Sequence, residues 1–157
     1  MTTDSITALQ RIYGGPDGTG MGSSVTRCVL PTGEDLEMAA RKRYREFCGH
    51  LWERFGPENW LGQWAEVYRR PAGSSGDIVQ EILGIEDHLA SLAASMLLDN
   101  IENPEAAKQA LETEFNDPAI QQFVIYRLGD GDAYSGVLLA AQRDSNQPVT
   151  FLAFLMD

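Results

Sequence analysis

Three polar residues, Glu46, His50 and Glu53, have the types and the spacing that come closest to a metal site in this chain. On a helix, residues at i, i+4 and i+7 project in nearly one direction, and carboxylates and imidazole are ligands of divalent metals. The same spacing is typical of a solvated helix face that pairs with nearby basic side chains. Because this stripe points away from the apolar line through Phe47 and Phe55, we predict a solvated face with no metal and no cofactor.

The segment GGPDGTGMGSS, residues 14–24, suggests a second chemistry, phosphate binding. Gly15 and Gly20 have the spacing of a P-loop, but Met21 stands where the lysine that contacts the phosphates is required. A dinucleotide site needs a helix after the loop, because the helix N-terminus receives the pyrophosphate. The next segment, VTRCVL at 25–30, is instead typical of a strand. We therefore predict a flexible glycine-rich loop over 14–24 that binds no nucleotide.

Nucleophilic catalysis and calcium binding both lack residues that they require. His88 has Asp87 and Ser91 beside it on one predicted helix, but such neighbours diverge around the helix axis, and no G-x-S-x-G elbow is present. The turn GDGD at 129–132 has calcium-like aspartates, yet Ala141 occupies the twelfth loop position, where a glutamate is needed. No catalytic residue is predicted, and the sequence favours a protein that is not an enzyme.

The net charge of −11 is carried by one half of the chain. Residues 1–70 contain nine basic and nine acidic residues, whereas residues 71–157 contain three basic and fourteen acidic ones. Such acidity argues against nucleic acid as a partner and suits a basic protein. The basic run RKRYR at 41–45 is offset by acidic neighbours on its own helix, so it predicts no phosphate patch.

The cysteines and the hydropathy indicate the compartment. Cys28 and Cys48 lack the spacing of a zinc knuckle or a C-x-x-C motif, which predicts two buried thiols in a reducing cytoplasm. The segment MTTDSITALQRIY lacks a signal-peptide pattern, and no stretch reaches the roughly 18 apolar residues that a membrane helix needs. We expect a cytoplasmic protein that does not contact a membrane.

The longest predicted helix covers residues 34–55, where apolar residues recur every three or four positions. Thr32 and Asp35 form a predicted capping box at its start. The next segment, 58–70, fits a helix by the spacing of its aromatic residues and a strand by the alternation in WAEVYRR, so both assignments stay open.

Two further helices are predicted before the last strands. Apolar residues over 78–97 follow a heptad-like spacing that predicts a single helix. Asn103 and Pro104 have the types expected for an N-cap and a first helical residue, which predicts a helix that ends near residue 115. Near the N-terminus, residues 6–13 fit a strand or a helical turn equally well.

The C-terminal part of the chain changes to the period of strands. Segments 120–128, 133–143 and 148–156 are apolar and are separated by short turn-forming stretches. We predict one α+β domain over 1–157, in which a helical N-terminal two thirds packs on a C-terminal three-stranded antiparallel meander that strand 25–30 can extend. Both faces of this meander are apolar, so the helices cover one face and something else covers the other.

A second copy of the chain is the simplest cover for that second face, because a large exposed apolar patch is rare on a monomer. We therefore predict a two-fold homodimer. Its predicted contact residues are Val124, Tyr126, Leu138, Ala140, Phe151, Ala153 and Leu155.

Two functional hypotheses remain. The first is a non-catalytic protein-interaction or regulatory module, for which an aromatic cluster at the helix-to-helix corner supplies either core or contact residues. Its candidate interaction residues are Trp52, Trp60, Trp64 and Phe151. The alternative is a small-molecule-binding protein or enzyme with a pocket between the helices and the C-terminal sheet. Its candidate ligand-binding residues are Tyr126, Arg127, Tyr134 and His88.

Overall fold

The computed structural model describes residues 2–15, 22–31, 33–74, 76–99, 102–130, 134–144 and 147–156. Within them the chain forms seven helices and five strands. The helices are α1 (Thr2–Tyr13), α2 (Leu36–Cys48), α3 (His50–Phe55), α4 (Pro57–Leu61), α5 (Ile78–Leu83), α6 (His88–Asp99) and α7 (Pro104–Phe115). The strands are β1 (Gly22–Cys28), β2 (Ala65–Arg69), β3 (Gln122–Gly129), β4 (Ser135–Gln142) and β5 (Val149–Met156).

The five strands form one antiparallel sheet in the order β1-β5-β4-β3-β2. The three C-terminal strands are its interior, and both edge strands come from the first half of the chain. The prediction of a helical N-terminal two thirds packed on a three-stranded meander is therefore wrong. The predicted sheet did not include β2, because this strand has only five residues and its register shifts between Glu66 and Tyr68, so its alternation of apolar and polar residues is weak.

Helices cover both faces of the sheet, which explains why both faces are apolar. Helices α1, α5, α6 and α7 pack on the face that carries Ile125, Val137 and Leu152. Helices α2, α3 and α4 pack on the opposite face, which carries Tyr126 and Phe151. The residues predicted to form a dimer contact are all in this second core and at most 1% exposed, so the chain itself covers the face on which that prediction rested.

The predicted helix over 34–55 is broken at Gly49, where α2 ends and α3 begins. Gly49 has φ of 56° and ψ of −122°, a backbone conformation that glycine adopts at little cost. Asp35 caps α2 by accepting a hydrogen bond from Met38 N at 2.8 Å, whereas Thr32 lies outside the described residues. The predicted single helix over 78–97 is likewise two helices, α5 and α6, separated by residues 84–87.

The assignments that the sequence left open are now settled. Residues 6–13 belong to helix α1, and the segment 58–70 contains the end of α4 followed by β2. Helix α7 begins as predicted, because Asn103 accepts a hydrogen bond from Ala106 N at 3.1 Å and Pro104 is its first residue. Strand β1 confirms the strand predicted near 25–30.

Of the predicted glycine-rich loop 14–24, residues 16–21 lie outside the described part, so its predicted flexibility there stays untested. The described residues at the two ends of this loop are hydrogen-bonded to each other. Val25 N donates to Gly14 O at 2.9 Å, and Ser24 Oγ donates to Gly15 O at 2.8 Å. Across the described ranges, no helix has the length and apolar character needed to cross a membrane.

Candidate functional site

A cleft of about 370 Å³ opens between β1, at the edge of the sheet, and helix α2. We call it the Arg43 cleft. Strand β1 contributes residues 26–28, α2 contributes Ala39, Lys42, Arg43 and Glu46, and the connecting loop and β5 contribute Leu30, Pro31, Glu34 and Phe151. The cleft lies on the face of the sheet that α2, α3 and α4 cover, and Phe151 from the core on that face lines it.

Arg43 lies on the buried face of α2 and is 8% exposed. Its Nη2 donates to Ser24 Oγ at 2.6 Å, and Ser24 in turn donates to Gly15 O. Among the described residues, Nε of Arg43 has no hydrogen-bond partner, and no carboxylate forms an ion pair with this guanidinium. Burial lowers the pKa of Arg43, against the opposing charge of Glu46, but an arginine stays protonated.

Thr26 supplies a second unpartnered group. Its Oγ1 is buried and has no hydrogen-bond partner within the described ranges. Alternation along β1 places Ser24, Thr26 and Cys28 on the side of α2, while Val25 faces the opposite core. Two buried polar atoms without partners, Thr26 Oγ1 and Arg43 Nε, therefore belong to residues that line the same cleft.

Two other cations of the cleft are already paired. Arg27 Nη2 donates to both carboxylate oxygens of Glu114 at 2.7 Å, and Glu114 is fully buried. Lys42 Nζ lies 2.6 Å from Glu34 Oε1, and this ion pair balances the charge of that buried oxygen, which accepts no hydrogen bond among the described residues. Their charges are locally balanced, so within the described ranges Arg43 is the cation of the lining that has no carboxylate partner.

Cys28 is the one thiol among the lining residues. Burial raises its pKa, Glu46 and Glu34 raise it further, and Arg43 opposes the shift. The thiol is therefore protonated near neutral pH, whereas nucleophilic attack requires the thiolate. Cys28 gives the cleft a small apolar wall and not an activated nucleophile. Both cysteines are free, as predicted, but only Cys48 is buried, and the predicted burial of Cys28 is wrong because it lies at the exposed end of edge strand β1.

The four predicted ligand-binding residues are not brought together. Tyr126 is 1% exposed and stacks on Trp64 with ring centroids 4.5 Å apart. Tyr134 packs on Trp60 in the same core. Arg127 instead pairs with Asp87, the N-terminal cap of α6, and donates to Gln63 O at 2.9 Å. His88 is exposed at the start of α6.

The predicted interaction residues are largely core residues. Trp52, Trp60 and Phe151 are at most 7% exposed, and Trp60 Nε1 donates to Leu51 O at 2.9 Å. Trp64 is half-buried: its Nε1 donates to Glu37, and the Arg41 guanidinium lies 5.6 Å from its ring centroid. Of this set, only Trp64 keeps an accessible part at the surface.

Glu46, His50 and Glu53 are all exposed, and Gly49 separates Glu46 on α2 from the other two on α3. No group of three His, Cys, Asp or Glu side chains in the described ranges could hold a metal ion. The expectation of no metal at these residues stays a prediction, which elemental analysis of untagged protein tests. Glu46, His50 and Glu53 line one open pocket of about 410 Å³, and Glu46 also lines the Arg43 cleft.

Sequence reasoning missed Arg43 because RKRYR was treated as one exposed basic run. A signal was present: Arg43 lies three residues after Ala40 and four before Phe47, which are both buried on the core face of α2. An arginine at a core position of an amphipathic helix is a candidate functional residue, because a buried charge needs a partner.

The chain matches no protein-family model, no curated protein and no solved structure. Its function is therefore inferred from the chemistry of the Arg43 cleft.

Proposed function

We propose that the protein is a small-molecule-binding module, whose ligand occupies the Arg43 cleft and presents an acceptor group, such as a carboxylate, to Arg43 and Thr26. One observation carries this proposal: two buried polar atoms without hydrogen-bond partners, Arg43 Nε and Thr26 Oγ1, belong to the lining of the same cleft. This is the second of the two hypotheses drawn from the sequence, moved to a different set of residues.

The energetic argument starts from the cost of such atoms. A buried polar group without a partner costs about 1–3 kcal/mol, and a charged group costs more. A ligand oxygen on Arg43 Nε would remove that cost and add a charge-assisted hydrogen bond. The Thr26 hydroxyl can donate to the same ligand group or accept from it. The buried Arg43 guanidinium therefore destabilises the folded chain, and ligand binding would offset that destabilisation.

The remaining lining gives the shape of the ligand. Leu30, Pro31, Ala39 and Phe151 form an apolar wall. The volume of about 370 Å³ lies at the small end of the range for ligand sites. A compact molecule with one anionic end and one apolar part suits this lining. Binding without catalysis fits it too, because the Cys28 thiol is protonated and the lining contains no histidine.

Titration with small carboxylates of increasing chain length, followed by isothermal calorimetry and by amide chemical shifts, tests this proposal. We expect saturable binding that perturbs residues of β1 and α2. Arg43→Met should abolish it, whereas Arg45→Met, which removes an exposed arginine from the same helix, should leave it unchanged. Binding that survives Arg43→Met, or no binding by any member of the series, would overturn the proposal.

The interaction hypothesis retains one specific observation. Leu83 at the end of α5 and Leu89 and Leu92 on α6 are 39–59% exposed, and they lie in the acidic half of the chain. Apolar residues surrounded by acidic ones suit a basic amphipathic helix of a partner protein. We therefore keep this surface as the second candidate function.

A synthetic amphipathic helix of lysine and leucine is a suitable probe for this surface. We expect fluorescence anisotropy to detect binding that weakens with salt and is lost when Leu89 and Leu92 are both replaced by serine. Met38→Ser, which changes an exposed residue on α2, is the matched control. Equal binding by the double variant and the control would rule this surface out.

The predicted homodimer is now a proposal without its original support, because α2, α3 and α4 cover the sheet face from which it was inferred. Light scattering at tens of micromolar decides it against the monomer mass of 17.3 kDa. The two free cysteines support the proposed cytoplasmic location, since such thiols persist in a reducing compartment.

A further inference from the structure

The charges that line the Arg43 cleft do not all remain available to a ligand. Of the three cations, Arg27 is paired with Glu114 and Lys42 with Glu34. Arg43 has no such carboxylate, and Glu46 has no ion pair or hydrogen bond within the described ranges. The cleft therefore offers one positive and one negative group, and neither has an ion-pair partner among the described residues.

Arg43 and Glu46 are three residues apart on α2, so their side chains leave neighbouring positions on the helix surface. They do not form an ion pair, because no nitrogen of Arg43 lies within 4.0 Å of a Glu46 oxygen. Arg43 is buried and reaches toward Ser24, whereas Glu46 is exposed at the rim. The positive group lies deep in the cleft and the negative group lies at its mouth.

This arrangement discriminates between classes of ligand. A simple carboxylate gains from Arg43 but is repelled by Glu46, and a simple amine meets the opposite combination. A ligand that carries both charges close together gains from both groups. Among the described lining residues the other charged groups, Arg27, Lys42 and Glu34, are already in ion pairs, so Arg43 and Glu46 are the charges left for a ligand.

We propose, on the basis of the proposed function, that the ligand is an α-amino acid with an apolar side chain. Its carboxylate accepts from Arg43 Nε and Thr26 Oγ1, and its ammonium group donates to Glu46. Its side chain packs against Leu30, Pro31 and Phe151, the apolar wall of the cleft.

Three related probes test this proposal by calorimetry on the full chain: leucine, isocaproate, which lacks the amine, and isoamylamine, which lacks the carboxylate. We expect leucine to bind at least about tenfold more tightly than either of the others, because each lost charge removes a charge-assisted hydrogen bond. Alanine, valine, methionine and phenylalanine then define the preferred side chain.

Glu46→Gln gives a test with opposite signs. It should weaken leucine binding by about tenfold and strengthen isocaproate binding, because it removes an attraction for the amine and a repulsion for the carboxylate. Glu53→Gln, an equal change of charge at an exposed residue outside the cleft, should alter neither. Circular dichroism verifies that both variants remain folded.

The outcomes separate this proposal from the one on which it rests. If isocaproate binds as tightly as leucine and Glu46→Gln affects both equally, the amino-acid proposal fails while the carboxylate site at Arg43 stands. If none of the five amino acids binds at up to about 10 mM, the amino-acid proposal is overturned, and the carboxylate series decides the broader function.

Discussion

The side chains of Arg70 and Arg43 are both largely buried, on opposite faces of the sheet, but among the described residues only Arg70 has a carboxylate partner. The Arg70 side chain is 7% exposed and donates to both oxygens of Glu81, at 2.6 and 2.7 Å, and to Phe115 O at 2.9 Å. Its guanidinium also lies 4.6 Å from the Phe123 ring centroid. Arg43 makes one hydrogen bond, to Ser24, and leaves Nε free among the described residues.

The difference separates a structural charge from a functional one. A buried ion pair whose hydrogen bonds are complete can hold a fold together, and removal of one partner exposes the full cost of the other. A buried charge without a carboxylate partner costs free energy on burial and gains no ion pair that offsets this cost. We infer that Arg70 joins β2 to α5, while Arg43 serves the ligand. The predictions below test this contrast, and the largest expected effect comes first.

Replacement of Arg70 by methionine should give the largest effect. It leaves the Glu81 carboxylate without its cation and Phe115 O without a donor, so we expect a loss of about 3–5 kcal/mol in the free energy of unfolding. Urea denaturation measures it. The control is Arg69→Met, whose exposed pair with Glu66 is worth about 0–1 kcal/mol. A loss at Arg70 no larger than at Arg69 would remove the structural side of the comparison.

The ion pair between Arg70 and Glu81 should also determine how the free energy of unfolding changes at acid pH. Burial alone raises the pKa of Glu81, but hydrogen bonds from Arg70 and Tyr68 and the charge of Arg70 bring it below its ordinary value of 4.5. The folded state therefore keeps Glu81 ionised at a lower pH than the unfolded state does. The contribution of Glu81 to the free energy of unfolding is therefore fully present above its ordinary pKa, and it is lost as the pH falls through the lowered pKa of the folded state.

Glu81→Gln should reduce the slope of stability against pH below 4.5, measured by urea denaturation at a series of pH values. The variant is also less stable at neutral pH, because Arg70 loses its partner. Glu58→Gln changes an exposed carboxylate and should keep the wild-type slope. An unchanged slope in Glu81→Gln would show that Glu81 contributes nothing to acid unfolding.

The contrast between the two arginines also shows what the sequence could and could not predict. The types of Asn103 and Pro104 are sufficient to predict the start of α7, because capping depends on adjacent residues. The strands β3 to β5 have enough apolar length to be recognised. Strand β2 does not, since its pairing with β3 depends on residues more than fifty positions away.

The candidate site was harder to predict than the fold. Its two unpartnered atoms come from β1 and α2, and neither segment has a motif that indicates binding. The basic run at 41–45 is exposed at Arg41, Lys42 and Arg45, so its average character hides the one buried arginine. Only three-dimensional packing distinguishes Arg43 from its neighbours, although its position on the core face of α2 was visible in the sequence.

Arg43→Met should have the opposite effect on stability from Arg70→Met. It exchanges an uncompensated buried charge for an apolar side chain of similar length, so we expect the free energy of unfolding to stay level or rise by about 1 kcal/mol. Ligand binding should be lost in the same variant. Arg45→Met provides the baseline for a change at an exposed arginine of α2. A loss of about 3 kcal/mol at Arg43 would show that its charge is structural after all.

Two threonines near the β1–β5 pairing extend the comparison to neutral groups. Thr150 Oγ1 donates to Glu114 at 2.8 Å and accepts from Arg27 at 3.3 Å, whereas Thr26 Oγ1 has no partner among the described residues. Valine in place of Thr150 should therefore cost about 1–3 kcal/mol, because charged groups lose a hydrogen bond. Valine in place of Thr26 removes a buried hydroxyl that has no partner among the described residues, so the free energy of unfolding should rise by about 1 kcal/mol. It should also lower the affinity for a carboxylate ligand by about ten- to a hundredfold, the factor that one hydrogen bond to a charged group contributes. If Thr26→Val destabilises the protein as much as Thr150→Val and leaves carboxylate binding unchanged, the Thr26 hydroxyl is not part of the ligand site, and Arg43 Nε alone would have to hold the acceptor group.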